Sequence, residues 1–350
     1  AVGVLLGSLA QFLFQTPFLK EKVKNYRLRI NLREPGVRKV GMLIFPVIIS
    51  LATVDINTVV DTRFASLLPQ GSVADLGYAI RIWLLPLGVF AIAIATVLFP
   101  TFSKLAEKNN IRELRKTFGV GSRIVFLIVI PSALWFMVLS VPVVKLLFQR
   151  GEFLEKDTYL TASALFYYSV GLVAAGQLHM VNRAFYALKD TITPMIVAGF
   201  LVFINYFGDW LFMNYLPDAV KLLQLPATLN WLAFPHGGIA LSTSVVTIVN
   251  YVVLLEIIRR RINGIEGKKT AIVAFKITIA SFVFALCSFW GWKIIYSTLA
   301  VSTLSLIVSL GSGTLVGIIL FFILLRIMHV EELDLLIGLV KEKMKRDRKE

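Results

Sequence analysis

The sequence predicts an all-α fold, a polytopic bundle of transmembrane helices, and three observations predict it. Apolar residues make up 57% of the chain and charged residues only 16%, a balance outside that of soluble domains, with a mean hydropathy of +0.78. The apolar residues fall in nine runs: 2–19, 37–61, 79–102, 119–148, 159–187, 194–215, 238–258, 271–296 and 304–328. Each run approaches or exceeds the roughly 20 residues that carry a helix across about 30 Å of hydrocarbon. Basic residues crowd into alternate connections: 20–39, 104–116, Arg183 with Lys189, and 259–269.

That alternation sets a topology. Lys and Arg accumulate on the cytoplasmic side of membrane helices, so these connections and the C-terminal tail are predicted to be cytoplasmic. Nine spans then leave Ala1 outside. The formal charge of +15 sits at the ends of apolar runs, not on a soluble module. It reads as a topology signal and an attraction for anionic membrane lipids, with no nucleic acid implied. Cys287 stands alone in an apolar run, which excludes a disulfide framework or thiolate metal site. The chain opens without methionine and without the basic segment that precedes a signal sequence, so an N-terminal portion is expected to be missing.

The first run is followed by residues 20–36, whose mixture of basic and apolar side chains suits an interfacial linker. The second run carries Pro46, then Asp55, Asn57 and Asp61. Asn57 and Asp61 share a helical face. Asp61 lies at the outer interface, pairs with a cation, or pairs with Arg81. The third run has that single arginine near its start, followed by Leu85-Pro86-Leu87-Gly88, which interrupts the helix. A guanidinium in a membrane run faces a cavity, a carboxylate or an anionic substrate, unless it snorkels to the interface.

The fourth run ends in the turn 148–153, where a local Arg150–Glu152 pair is expected. After the fifth, Asp190 or Thr191 is the N-cap of the sixth, with Pro194 in its first turn. In the sixth run Asn205 and Asp209 stand one turn apart on one face, where burial demands a partner. With Asp61 and with Thr243 of the seventh run they form an oxygen-only set suited to a hard monovalent cation. A helix–helix hydrogen-bond cluster is the alternative. Residues 216–234 read as an outer flap; they offer Asp218 but no histidine, which argues against a membrane enzyme. The last two runs hold no buried charge except Lys276, and Gly311, Gly313 and Gly317 in the ninth allow close helix approach. Residues 330–350 read as a basic amphipathic tail.

Three stretches in order, GSVADLGYAIRIWLLPLGVFAIAIATVLFPTFSKLA (71–106), LLFQRGEF (146–153) and NRAFYALKDTITP (182–194), resemble the bacterial lipid II flippase family, MurJ (MviN), within the MATE-like exporter superfamily. The resemblance implies half of a MATE-like transporter plus two peripheral helices, matching helices six to fourteen of the family's fourteen. Residues 1–19 would be the last helix of an otherwise absent lobe, 37–263 a six-helix lobe, and 268–329 two helices forming a groove for the lipid tail around Gly311, Gly313 and Gly317. It further implies transport of lipid II, a polyprenyl-pyrophosphate-linked peptidoglycan precursor, across the bacterial cytoplasmic membrane. Arg81 would contact the pyrophosphate, and Asp61, Asn205, Asp209 and Thr243 would bind a coupling sodium ion. No other cofactor is expected, and cell-wall synthesis proteins are candidate partners. The rival readings are an exporter of other polyprenyl-linked sugars and a cation-coupled drug antiporter.

Overall fold

The computed structural model describes residues 2–23, 35–298 and 302–333. Each apolar run folds as a helix: α1 (Val2–Val23), α2 (Pro35–Ala65), α3 (Ser72–Glu107), α4 (Ile111–Phe148), α5 (Glu155–Ala187), α6 (Ile192–Leu222), α7 (Pro235–Arg261), α8 (Gly267–Thr298) and α9 (Thr303–Ile327). Seven of them, α3 to α9, are long and apolar enough to cross a membrane. The chain divides into two compact units, Ala1–Phe45 and Pro46–Glu350. The first holds α1 and the start of α2. The second holds everything described below. Most of the 20–36 linker and nearly all of the 330–350 tail lie outside the described residues.

Helix ends differ from the apolar runs where polar residues can cap them. α4 begins at Ile111, eight residues before its apolar run, because the Asn110 side chain accepts from the Glu113 N–H at 3.2 Å and Glu113 sits in the positive first turn. α6 runs on to Leu222 through Pro217, so the expected flap shrinks to a short 3-10 segment, Ala227–Ala233. Leu216 packs that extension on the core, and Val220, one turn on, is buried.

Prolines shape two long helices without ending them. Pro86 removes the N–H that would bond Ile82, and the next five residues, Leu87–Ala91, absorb the defect as a π-turn. In α4, Pro142 withdraws the donor from Val138, and the backbone leaves helical geometry at Leu139.

At the basic end of α6, Asp190 acts as the cap. Its Oδ1 accepts from the N–H groups of Ile192 (3.1 Å) and Thr193 (3.0 Å), and Oδ2 takes the Thr193 hydroxyl and Arg261 Nη1, both at 2.6 Å. Partial burial alone would raise this carboxyl, but those donors outweigh it and hold it below the usual carboxylate range. A depressed carboxyl contributes stability above the unfolded-state value near pH 4 and loses it as pH falls through the lower folded value. Asp190→Asn is therefore expected to cost about 1 kcal/mol at pH 6, with the gap to wild type closing toward pH 3. Thermal melts across that range read the difference.

The last two helices form a hairpin sealed by glycine. A Cβ on Gly313 would come 2.7 Å from the Ser288 carbonyl oxygen and the Trp292 nitrogen, and one on Gly317 within 2.8 Å of the Phe284 carbonyl oxygen. Gly311 faces open space. Gly313→Val should thus cost upward of about 3 kcal/mol, since overpacking against backbone has nowhere to relax, while Gly311→Val leaves detergent-solubilised stability within about 0.5 kcal/mol. Equal effects at the two positions would refute the close approach. The hairpin packs on α4 through a second apolar cluster that includes Leu127, Ile130, Ile277, Phe284 and Phe321.

Candidate functional site

The polar centre of the lobe is built by three helices. Asn205 and Asp209 project from one face of α6, Asp61 comes from α2, and Ser242 and Thr243 from α7. Gly208 permits the approach, because a Cβ there would lie 2.5 Å from Ser242 Oγ. The Asn205 amide nitrogen donates to Asp61 Oδ1 at 2.7 Å and to Asp209 Oδ2 at 3.3 Å, tying both carboxylates to one donor. Thr243 Oγ1 donates to Asp61 Oδ2 at 3.1 Å, and Ser242 Oγ holds the Asn205 carbonyl at 3.2 Å.

Asn205 and Asp209 are fully buried, yet Asp209 Oδ1 has no hydrogen-bond partner. One turn before Asp61, the buried Asn57 Oδ1 is also unpartnered. A buried carboxylate oxygen without a donor is costly, and an oxygen-coordinated cation is one way to satisfy it. The set fits a hard ion, since rotating the Asn205 amide would replace its N–H₂ with a third kind of oxygen ligand. Among the described residues no group of three or more His, Cys, Asp or Glu side chains forms a metal cage.

Arg81 stands apart from this cluster. It is exposed, not buried, on the face of α3 that carries Leu84, Leu85, Val89 and Phe90, also exposed. Its guanidinium lies 5.7 Å from the Tyr78 ring centroid and makes no ion pair among the described residues. Pairing with Asp61 does not occur, because Asn205 and Thr243 occupy that carboxylate.

Two buried polar groups were not singled out in the sequence. Asp75, in the first turn of α3, is buried, with Oδ1 accepting from Thr161 at 3.0 Å and Oδ2 unpartnered. Arg123 of α4 is 2% exposed; Nε donates to Glu332, also 2% exposed, and Nη1 to Glu266 Oε2 at 3.1 Å. Both carboxylates lie just outside the last two runs, Glu266 before the eighth and Glu332 after the ninth. The signal was available: Arg123 lies inside an apolar run, as Arg81 does.

A multi-pass membrane bundle, with carboxylates and amides gathered in its interior and an uncovered arginine at one face, is the architecture of a membrane transporter lobe. Comparison with known proteins specifies it. The family model described as Lipid II flippase MurJ matches residues 1–310, so the chain belongs to the MurJ lipid II flippase family. A Vibrio cholerae protein titled "Probable lipid II flippase MurJ" is 37% identical over 195 residues, covering 56% of this chain and 37% of its own length. The Lipid II flippase MurJ of Burkholderia cenocepacia is 27% identical, covering 83% of this chain and 54% of its own. A solved structure titled "Lipid II flippase MurJ, inward closed conformation" superposes with a TM-score of 0.64 at 26% identity, covering 94% of this chain and 62% of that one. The chain spans about half the length of the curated relatives it matches over most of its own.

Proposed function

We propose that this chain supplies a lobe of a lipid II flippase, a transporter and not an enzyme, that carries the polyprenyl-diphosphate-linked precursor across the bacterial cytoplasmic membrane by alternating access. The observation that carries the reading is the family match over residues 1–310. The charge logic supports it. A diphosphate must pass a low-dielectric core, and a guanidinium offers it paired donors. Arg81 is free of carboxylates among the described residues and lies on an exposed face, which leaves it available as a phosphate ligand. The basic connections support a topology with the ends near Lys104, Arg261 and Arg326 in the cytoplasm, against anionic headgroups.

Asp61, Asn205, Asp209 and Thr243 would hold a sodium ion, whose charge offsets one of the two carboxylates and is worth about 2.3 kcal/mol per 100 mV of membrane potential crossed. The four residues come from α2, α6 and α7, so occupancy would favour the arrangement that brings those helices together.

The reading is tested by the amount of lipid II exposed at the outer membrane face in flippase-depleted bacteria. The full protein is expected to restore exposure, and Arg81→Ala to reduce it at least roughly tenfold at equal membrane abundance, the loss of a charge-assisted phosphate contact. No restoration by the wild-type protein would remove lipid II as the substrate; full restoration by the variant would make Arg81 a snorkelling interface residue.

A further inference from the structure

At the end of the bundle opposite the basic connections, the last turns of α4, the start of α5 and the α8–α9 hairpin enclose two adjoining cavities. The outer one, about 320 Å³, is lined by Lys145, Arg150, Gln149, Tyr296 and Thr303 among others, and by no carboxylate. The inner recess, about 200 Å³, shares Lys145, Gln149 and Tyr296 and adds Val141, Pro142, Trp292 and one carboxylate, Glu155. The outer volume alone falls in the range of small-ligand sites, roughly 300–1,000 Å³.

Three groups there lack the partners their chemistry calls for. Lys145 is half-buried, and its ammonium lies 5.8 Å from the Tyr296 ring centroid with no carboxylate beside it. A lysine in the last turn of a helix ordinarily serves its own helix's carbonyls, but this one reaches across to the hairpin. Arg150 forms no pair with Glu152, contrary to the local pairing its sequence suggests; among the described residues no ion pair includes it. The Trp292 indole N–H is buried without an acceptor. Its ring stacks on Tyr296 with centroids 5.9 Å apart.

Two cations on the outer space, which no carboxylate lines, and an orphan donor in the recess beneath, which Glu155 also lines, define an anion site. The recess beneath it, walled by Val141, Pro142, Trp292 and Leu306, suits the first carbons of a hydrocarbon chain. The geometry points to a binding site for the phosphate of a membrane lipid, with Lys145 and Arg150 as the phosphate ligands and Trp292 donating from below. Its position on the outer face rests on the topology proposed above. The phosphate could belong to the transported polyprenyl diphosphate after crossing or to a resident anionic phospholipid.

The test places the full protein in phosphatidylcholine nanodiscs and measures lipid binding by native mass spectrometry with two probes, a polyprenyl diphosphate and phosphatidylglycerol. Lys145→Gln combined with Arg150→Gln is expected to weaken at least one probe roughly tenfold or more, while Lys145→Arg stays within about threefold of wild type. Loss confined to the diphosphate marks an exit site for the transported lipid; loss confined to phosphatidylglycerol marks a resident-lipid site. If phosphatidylglycerol binds in a Lys145-dependent way and the diphosphate does not bind at all, the site stands and the flippase reading falls. If the diphosphate binds and neither probe responds to the double substitution, the site is overturned and the flippase reading survives.

Discussion

Arg123→Gln is expected to destabilise the protein by about 3–5 kcal/mol, the cost of leaving a buried carboxylate without its counter-ion. The guanidinium and the Glu332 carboxylate are both 3% exposed as side chains, and Glu332 Oε2 has no partner to fall back on. Glu266, 31% exposed, can turn to water. The contrast is Lys269 with Glu331, 2.8 Å apart but largely exposed at both ends. Lys269 holds the Glu331 carboxyl below its usual range, yet a solvated pair of this kind gives little net stability, so Lys269→Ala should be nearly silent.

The pairing joins α4 to the turn before α8 and to the chain just after α9, so its loss should free the hairpin at its basic end and leave the rest of the lobe folded. Hydrogen exchange should therefore rise first in α8 and α9. A double substitution, Arg123→Met with Glu332→Leu, is expected to recover most of the loss, because matched apolar groups avoid the desolvation penalty altogether. If Glu332→Gln unfolds nothing and the double variant is no better than Arg123→Gln, the pair does not hold the hairpin.

Much of this architecture was legible in the residues because a bilayer-spanning helix needs a long apolar run, and each run became a helix. The ends were less legible: residues 111–118 are basic and polar, yet helical once Asn110 caps them, and α6 continues through Pro217 to Leu222, where Leu216 packs on the core and Val220 is buried. The oxygen cluster could be read in outline, since Asn205 and Asp209 at i, i+4 must share a face and carboxylates in apolar runs must find a donor or a cation. The direction in which Arg81 faces could not, because it depends on which side of α3 its neighbours cover. Arg123 was visible as a charge inside an apolar run, but its pairing was not. It lies close to a basic connection and resembles a topology signal, while its partner Glu332 is 209 residues away in an amphipathic segment.

In the oxygen cluster, Asp209→Asn is expected to abolish stabilisation by sodium. An ion bound only to the folded state adds RT ln(1 + [ion]/Kd), about 2.7 kcal/mol at a hundredfold excess over Kd, so the wild-type melting temperature should climb as sodium replaces choline at constant ionic strength. The variant should show no such climb, and Thr243→Val a reduced one. The sodium-free comparison fixes the cause. Asp61 and Asp209 share one donor, the Asn205 amide nitrogen, and like charges so placed oppose each other. Without the ion, Asp209→Asn should then be at least as stable as wild type, because it removes the repulsion that the cation otherwise offsets. A cluster that served only to pack α6 against α2 and α7 would respond differently: the variant would be weaker by the same amount in sodium and in choline. Parallel melting curves in the two salts would therefore reduce the four residues to a hydrogen-bonded seam, whereas curves that cross identify Asp209 as a ligand whose charge the protein tolerates only for the ion it binds.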